Sequence, residues 1–244
     1  MTLSDQPQLN SDVVVVTIDG PAGAGKSTVA KLLAKNLGFE FLDTGAMYRT
    51  VTFAVLTRGV NPSDESAVFE LAKSLRIELN GSTVHLDGQD VSEFIRTPEV
   101  GLAIGVIADN LLVRQLLSQR QREWAHGRCV VTEGRDQGSE VFSDSPCKIF
   151  LVASSQERAK RRQAELAANG IVLDLPVVLE QQNRRDQQDC SRPVGGLKKA
   201  SDSIEVCTDG LTLEQVVAEL EEIVRSRLVG RSNQPSRISS EHTS

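Results

Sequence analysis

The first structural signal in the chain is a run of apolar, β-branched residues. Val13-Val14-Val15-Val16-Thr17-Ile18 shows no polar alternation, the pattern of a strand buried on both faces. Beyond a glycine-rich stretch, Val29, Leu32, Leu33 and Leu37 recur at helical spacing. Four further strands are predicted at residues 39–42, 128–132, 148–152 and 203–207. Helical patterns fill the gaps between them. Strands that alternate with helices argue for a five-stranded parallel sheet flanked by helices on both faces. Two helix starts read as capping boxes, Ser154-Ser155-Gln156-Glu157 and Thr212-Leu213-Glu214-Gln215, and Gly170 reads as a stop. In the last helix, Leu213, Val216, Val217, Leu220, Ile223, Val224 and Leu228 form one apolar stripe, which makes it a packing helix.

One stretch breaks this rhythm. Residues 76–79, 83–86 and 89–91 read as three short strands, joined at Asn80-Gly81 and Asp87-Gly88, both hairpin-turn signals. They predict a small antiparallel β insert over residues 62–100, of the kind that covers a ligand. Residues 1–12 and 231–244 are polar and are predicted to be disordered tails. The remaining span, 13–230, reads as a single α/β domain.

Composition narrows the chemistry. At 39% hydrophobic and 25% charged residues the chain is globular in character. A net charge of −6 gives no bulk attraction for nucleic acid, so an anion site must be a local cluster of Arg and Lys. No apolar run approaches membrane-spanning length, and the first dozen residues lack the basic start and apolar stretch of a secretory signal. Cys129, Cys147, Cys190 and Cys207 show no metal-finger spacing. Reduced, structural cysteines predict a cytoplasmic protein. The negative charge and the lack of an apolar span predict no nucleic-acid or membrane partner, and a monomer is the default expectation.

The glycine-rich stretch carries the strongest chemical signal. Gly20-Pro21-Ala22-Gly23-Ala24-Gly25-Lys26-Ser27 fits G-x-x-x-x-G-K-[ST] and sits between a strand and a helix, as a phosphate-cradling P-loop requires. The loop of residues 20–28, ending at Thr28, is expected to surround phosphate oxygens with its backbone N–H groups (all but Pro21, which has none), helped by the positive end of the helix dipole. Lys26 is placed to reach the β- and γ-phosphates, and the Ser27 hydroxyl to bind Mg²⁺. No Asn-Lys-x-Asp guanine motif is present, which argues against a GTPase switch.

Phosphoryl transfer needs two phosphate groups held in line and their charge neutralised. Arginine suits this, because its planar fork binds phosphate bidentately and stays charged. Three segments place arginines near predicted strand ends or turns. They are Asp43-Thr44-Gly45-Ala46-Met47-Tyr48-Arg49, Glu133-Gly134-Arg135-Asp136, and a polar segment holding Arg185, Asp186, Asp189 and Arg192, closed by Pro193. The run Arg158, Lys160, Arg161 and Arg162 reads mainly as a solvated helix face, with one or two of the four reaching nucleotide. A carboxylate beside a guanidinium can also read the cytosine edge, which shows a donor next to two acceptors. Asp136 and Arg114 are the candidates for that pair.

Together these segments resemble the bacterial-type cytidylate kinases, nucleoside monophosphate kinases of the P-loop class. The matching motifs run from Val13 to Val229: Ile18-Asp19-Gly20-Pro21 with Gly25-Lys26-Ser27, Leu42-Asp43-Thr44-Gly45-Ala46-Met47-Tyr48-Arg49, Asp90-Val91-Ser92 with Ile95-Arg96, Val113-Arg114 with Gln119-Arg120-Gln121-Arg122, Glu133-Gly134-Arg135-Asp136-Gln137-Gly138, and Arg185-Asp186-x-x-Asp189-x-x-Arg192. The resemblance implies transfer of the ATP γ-phosphoryl group to CMP or dCMP with Mg²⁺. It implies that Thr44, Arg49 and Arg135 hold the acceptor phosphate, that Arg114 and Asp136 read cytosine, and that Asp189 contacts the sugar. Arg185 and Arg192 are implied to gather around the transferring group with Lys26. The insert would be the monophosphate-binding unit, and a short lid over residues 154–180 would close on ATP. The chain departs from the family pattern at Gly105, where Ser is common, at Gln137, where an apolar residue is usual, at Ser139, and over Gly195-Gly196-Leu197-Lys198-Lys199.

Overall fold

The computed structural model describes residues 13–168 and 170–232; the polar tails expected at both ends lie outside these residues, save positions 231 and 232. The chain forms β1 (Val15–Asp19), α1 (Lys26–Leu37), β2 (Glu40–Asp43), α2 (Thr44–Thr57) and α3 (Glu65–Ser74). Three short strands follow, β3 (Ile77–Asn80), β4 (Thr83–Leu86) and β5 (Gln89–Asp90), then a single 3₁₀ turn at Phe94–Arg96. Next come α4 (Pro98–Asp109), α5 (Leu111–Ala125), β6 (Val130–Gly134), a π-helical turn at Gln137–Val141 and β7 (Cys147–Val152). The chain continues through α6 (Ser155–Ala168), α7 (Leu175–Ser191), β8 (Ile204–Cys207) and α8 (Leu213–Ser232).

β2, β6, β1, β7 and β8 lie side by side in that order, and all four pairings are parallel. This is the five-stranded sheet the apolar runs predict. β1 lies at its centre because it is apolar on both faces. Val16 and Ile18 pack with α1, β7, β8 and α8, while Val15 faces a second core built from α2, α3, α5 and the small sheet. The expected stripe on α8 is buried at Val216, Val217, Leu220, Val224 and Leu228. Its capping box is reciprocal, with Thr212 N donating to Gln215 Oε1 (2.8 Å) and Gln215 N to Thr212 Oγ1 (3.3 Å). β3, β4 and β5 form the expected antiparallel meander, pairing Asn80 with Thr83 and Leu86 with Gln89 across the two glycine turns.

Two expectations need correction. β6 starts at Val130 rather than residue 128, because Arg128 N still bonds Ala125 O in the turn that ends α5. The segment holding Arg185, Asp186 and Asp189 is not a turn but the second half of α7, with Arg192 as its C-cap. It lacks an apolar stripe, so its helical period is hidden in the sequence. α7 buries Val178, Gln182 and Asp189. It packs alongside α6.

Candidate active site

The loop between β1 and α1 wraps the amino end of α1. No side chain caps that helix, and its first turn holds no acidic residue. Its N–H groups are therefore open to an anion. Gly20 is dictated by crowding, since a Cβ there would collide with the Leu151 carbonyl oxygen on β7. Lys26, 5% exposed, donates to the Pro21 carbonyl at 2.8 Å. The Ser27 hydroxyl donates to Glu133 Oε1 at 2.9 Å, joining the loop to the end of β6.

These groups sit in a field that disfavours their charged forms. Burial, aided by the nearby Arg135 charge, pushes the Lys26 ammonium down to about 7, although Glu133 and Asp19 favour its charged form. Burial likewise raises the Glu133 carboxyl above the usual range, against the pull of Lys26. Asp19 is pushed up to about 7 by burial, even though its carboxylate accepts from Gln137 N (2.9 Å) and Gly138 N (2.7 Å). Asp19 thereby pins the turn after β6 to the strand that feeds the P-loop.

The arginines converge on the same cleft. Arg49 on α2 is half-buried, donates to Ile95 O at 3.3 Å, and is lowered by burial and by Arg96. Arg185 on α7 is exposed in the cleft and feels the charges of Arg135 and Arg49. It has no hydrogen-bond or ion-pair partner among the described residues. Lys26 in turn feels Arg135 and Arg185. Four cations thus share one opening at the carboxyl edge of the sheet, where open α/β sheets take ligands. Arg135 donates from Nε to Asp189 Oδ2 at 2.8 Å, and the other Asp189 oxygen accepts from Arg192. Burial would raise Asp189, but Arg135, Arg192 and Arg185 hold it below the usual carboxylate range. Arg192 also reaches Asp109 on α4 at 2.5 Å, which draws it toward the insert side of the cleft. The Thr44 hydroxyl is engaged, donating to Glu133 O at 2.6 Å.

Arg114 and Asp136 do meet. They form a buried ion pair, with Arg114 Nη1 also donating to Ala108 O at 3.0 Å and its guanidinium 5.6 Å from the Tyr48 ring centre. The unusual Gly195 has a physical reason here. Its N–H is gripped by the Glu140 carboxylate (2.9 and 3.0 Å), and Arg114 occupies the space a Cβ would need. Gly105, by contrast, faces open space in a cavity of about 330 Å³ that it shares with Leu102, Val106, Asp109, Arg192 and Val194.

Sequence reasoning missed Arg158. It is 6% exposed and donates to Ala22 O in the P-loop and Ala153 O, both at 3.0 Å, while pairing with Asp186 at 2.7 Å. A run of four basic residues gives no sign of which one turns inward. Arg161 bonds Thr208 (3.1 Å), and Arg162 pairs with Glu165 (3.1 Å) while its charge reaches Arg49 and Arg185. The sequence gives no sign of the roles of Asp19, the last residue of β1, and Glu133, the residue before Gly134 at the end of β6.

A phosphate-ready loop facing convergent arginines across a parallel sheet defines a P-loop phosphotransferase. Comparison with known proteins narrows this further. The family model described as cytidylate kinase matches residues 16–226. A cytidylate kinase of Rhodopirellula baltica is 50% identical over 212 residues, covering 87% of this chain and 93% of the relative. One from Bacillus cereus is 45% identical over 215 residues, covering 86% and 96%. The chain belongs to the cytidylate kinase family. Among solved structures, a shikimate kinase from Bacteroides thetaiotaomicron aligns over 87% of this chain and 98% of its own, with a TM-score of 0.48 and 14% identity.

Proposed function

We propose that the protein transfers the γ-phosphoryl group of ATP to CMP or dCMP, yielding ADP and CDP or dCDP. The observation that carries this reading is the shared field of Lys26, Arg49, Arg135 and Arg185, with the Arg114–Asp136 pair beyond it. ATP phosphates lie in the loop of residues 20–28 on the open N–H groups of α1, with Lys26 on the β,γ-bridge side. The CMP phosphate is held by Arg49 and Arg135, with Thr44 at its edge. An oxygen of that phosphate attacks Pγ in line, and the bond from Pγ to the β–γ bridging oxygen breaks. The nucleophile is already anionic, so positioning and charge neutralisation suffice and no general base is assigned. Arg185 and Arg192 stabilise the charge spread over the transferring group. Asp189, held by Arg135 and Arg192, orients the sugar.

Mg²⁺ fits the oxygen donors present. Among the described residues no cluster of three or more His, Cys, Asp or Glu could hold a metal alone. Ser27 and Glu133 instead offer a hydroxyl and a carboxylate beside the phosphate loop. Mg²⁺ typically takes one or two side chains and fills its shell with phosphate oxygens and water. When bound, it neutralises charge on the β- and γ-phosphates.

The small β3–β5 sheet with α3 serves as the monophosphate-binding insert over residues 62–100, and α6 with the start of α7 as the lid. Lid closure excludes water and so limits ATP hydrolysis. The reading takes the protein as a monomer acting on two small nucleotides, with no nucleic-acid or membrane partner. Among the described residues no single helix is long and apolar enough to cross a bilayer. The proposed location is the cytoplasm. The test is steady-state turnover of CMP, dCMP, UMP and AMP with ATP. CMP or dCMP should give the highest kcat/KM. AMP turnover equal to CMP would refute the cytosine assignment.

A further inference from the structure

We infer that Gln137 is a specificity-determining residue of this enzyme, because it positions the Asp136 carboxylate for cytosine. The inference rests on the proposed reading of the base by Arg114 and Asp136. A terminal carboxylate torsion is soft and roughly two-fold, so one contact does not set it. Arg114 grips only Oδ2 of Asp136. The other oxygen, Oδ1, accepts from Gln137 Nε2 at 3.4 Å.

Gln137 is itself held from several sides, at 2% exposure. Its Oε1 accepts from the Thr132 hydroxyl at 3.1 Å, which fixes the amide so that the NH₂ group faces the carboxylate. Its Nε2 also donates to Gln121 Oε1 at 3.2 Å. The stem lies over Gly134, where a Cβ would come within 2.7 Å of Gln137 Cγ. Its backbone N–H is anchored on Asp19 at 2.9 Å. Gln121 and Arg114 both belong to α5, so Gln137 ties the carboxylate to the helix that carries its guanidinium partner. An apolar residue at this position would leave Oδ1 without that donor and Thr132 without that acceptor. The amide is therefore a second clamp on the group that must present an acceptor to the cytosine amine. Uracil offers no amine there, so the clamp acts on CMP and leaves UMP unaided.

Gln137→Met keeps the side-chain length and removes the amide. Because the bond is long, the expected drop in the CMP:UMP ratio of kcat/KM is about fivefold, less than a short bond to a charged group supports. The change should fall on KM for CMP, with KM for ATP unchanged. Thr132→Val, which frees the amide to rotate, should move the ratio the same way by a smaller factor, and it decides the matter if the first variant does not fold. Asp136→Asn is run alongside. A lowered ratio in Asp136→Asn with an unchanged ratio in Gln137→Met would overturn the inference and leave the base-reading pair standing. An unchanged ratio in both would overturn the base reading and the inference with it. Equal losses for CMP and UMP, or a raised KM for ATP, would show that Gln137 is only structural and also overturn the inference.

Discussion

Nucleotide binding should draw a proton onto Lys26. The perturbation is saturation with MgADP at pH 8, where ADP itself is fully ionised and no turnover occurs. In the nucleotide-free protein, burial and Arg135 hold Lys26 near 7. With that pKa, about 10% of the ammonium form remains at pH 8. Phosphate oxygens replace the missing counter-charge and return the group toward its ordinary value of 10.5. The expected uptake is therefore about 0.9 proton per nucleotide bound, and apparent affinity should weaken by up to tenfold per pH unit above 7. The same linkage affects folding. Between about 7 and 10.5 the folded, nucleotide-free chain binds fewer protons at Lys26 than the unfolded chain does. This group therefore opposes folding fully below pH 7, and its opposition fades as pH rises through that window. The assay is titration calorimetry in buffers of different ionisation enthalpy. Uptake should persist in Glu133→Gln and lose its larger part in Lys26→Met, where only Asp19 is left to take up a proton. No uptake in the parent protein, or the same uptake in Lys26→Met, would refute the argument.

Three further outcomes follow from the geometry. Arg49→Ala should lower kcat/KM for CMP about 100-fold while sparing KM for ATP, because a charge-assisted phosphate contact is worth roughly 1.5–3 kcal/mol; steady-state kinetics with each substrate varied in turn will check it. Arg158→Met strands Asp186 and the Ala22 and Ala153 carbonyls in a buried setting, so denaturant melts should show a loss of about 3 kcal/mol and nucleotide binding should weaken. Gly105→Ser meets open space on α4 and should stabilise that helix by about 0.5 kcal/mol, measurable in the same melts. If its hydroxyl reaches the base, kcat/KM for CMP should rise up to about fivefold.

Much of this protein is written locally in the chain. β1 is legible locally, because six β-branched residues in succession, ended by a glycine loop, favour a strand covered on both faces over a helix. The P-loop is equally legible, since the spacing of Gly20, Gly25, Lys26 and Ser27 encodes a backbone shape as well as a chemistry. Asn80-Gly81 and Asp87-Gly88 place the small meander because those turns demand left-handed backbone. What the chain could not show on its own is which charged residues turn inward. Arg158 and Arg162 look alike in sequence, yet one is buried under the P-loop and the other stays exposed, a choice made by the carbonyls and the Asp186 carboxylate that α6 happens to meet. α7 reads as a polar segment because its inner face buries Gln182 and Asp189 rather than an apolar stripe. The chain of contacts from Thr132 through Gln137 to Asp136 and Arg114 exists only once β6 and α5 are packed together. Periodicity and turn chemistry act over a few residues and are readable locally. The partner of a buried charge lies tens to more than a hundred positions away, and only the folded sheet brings the two within reach.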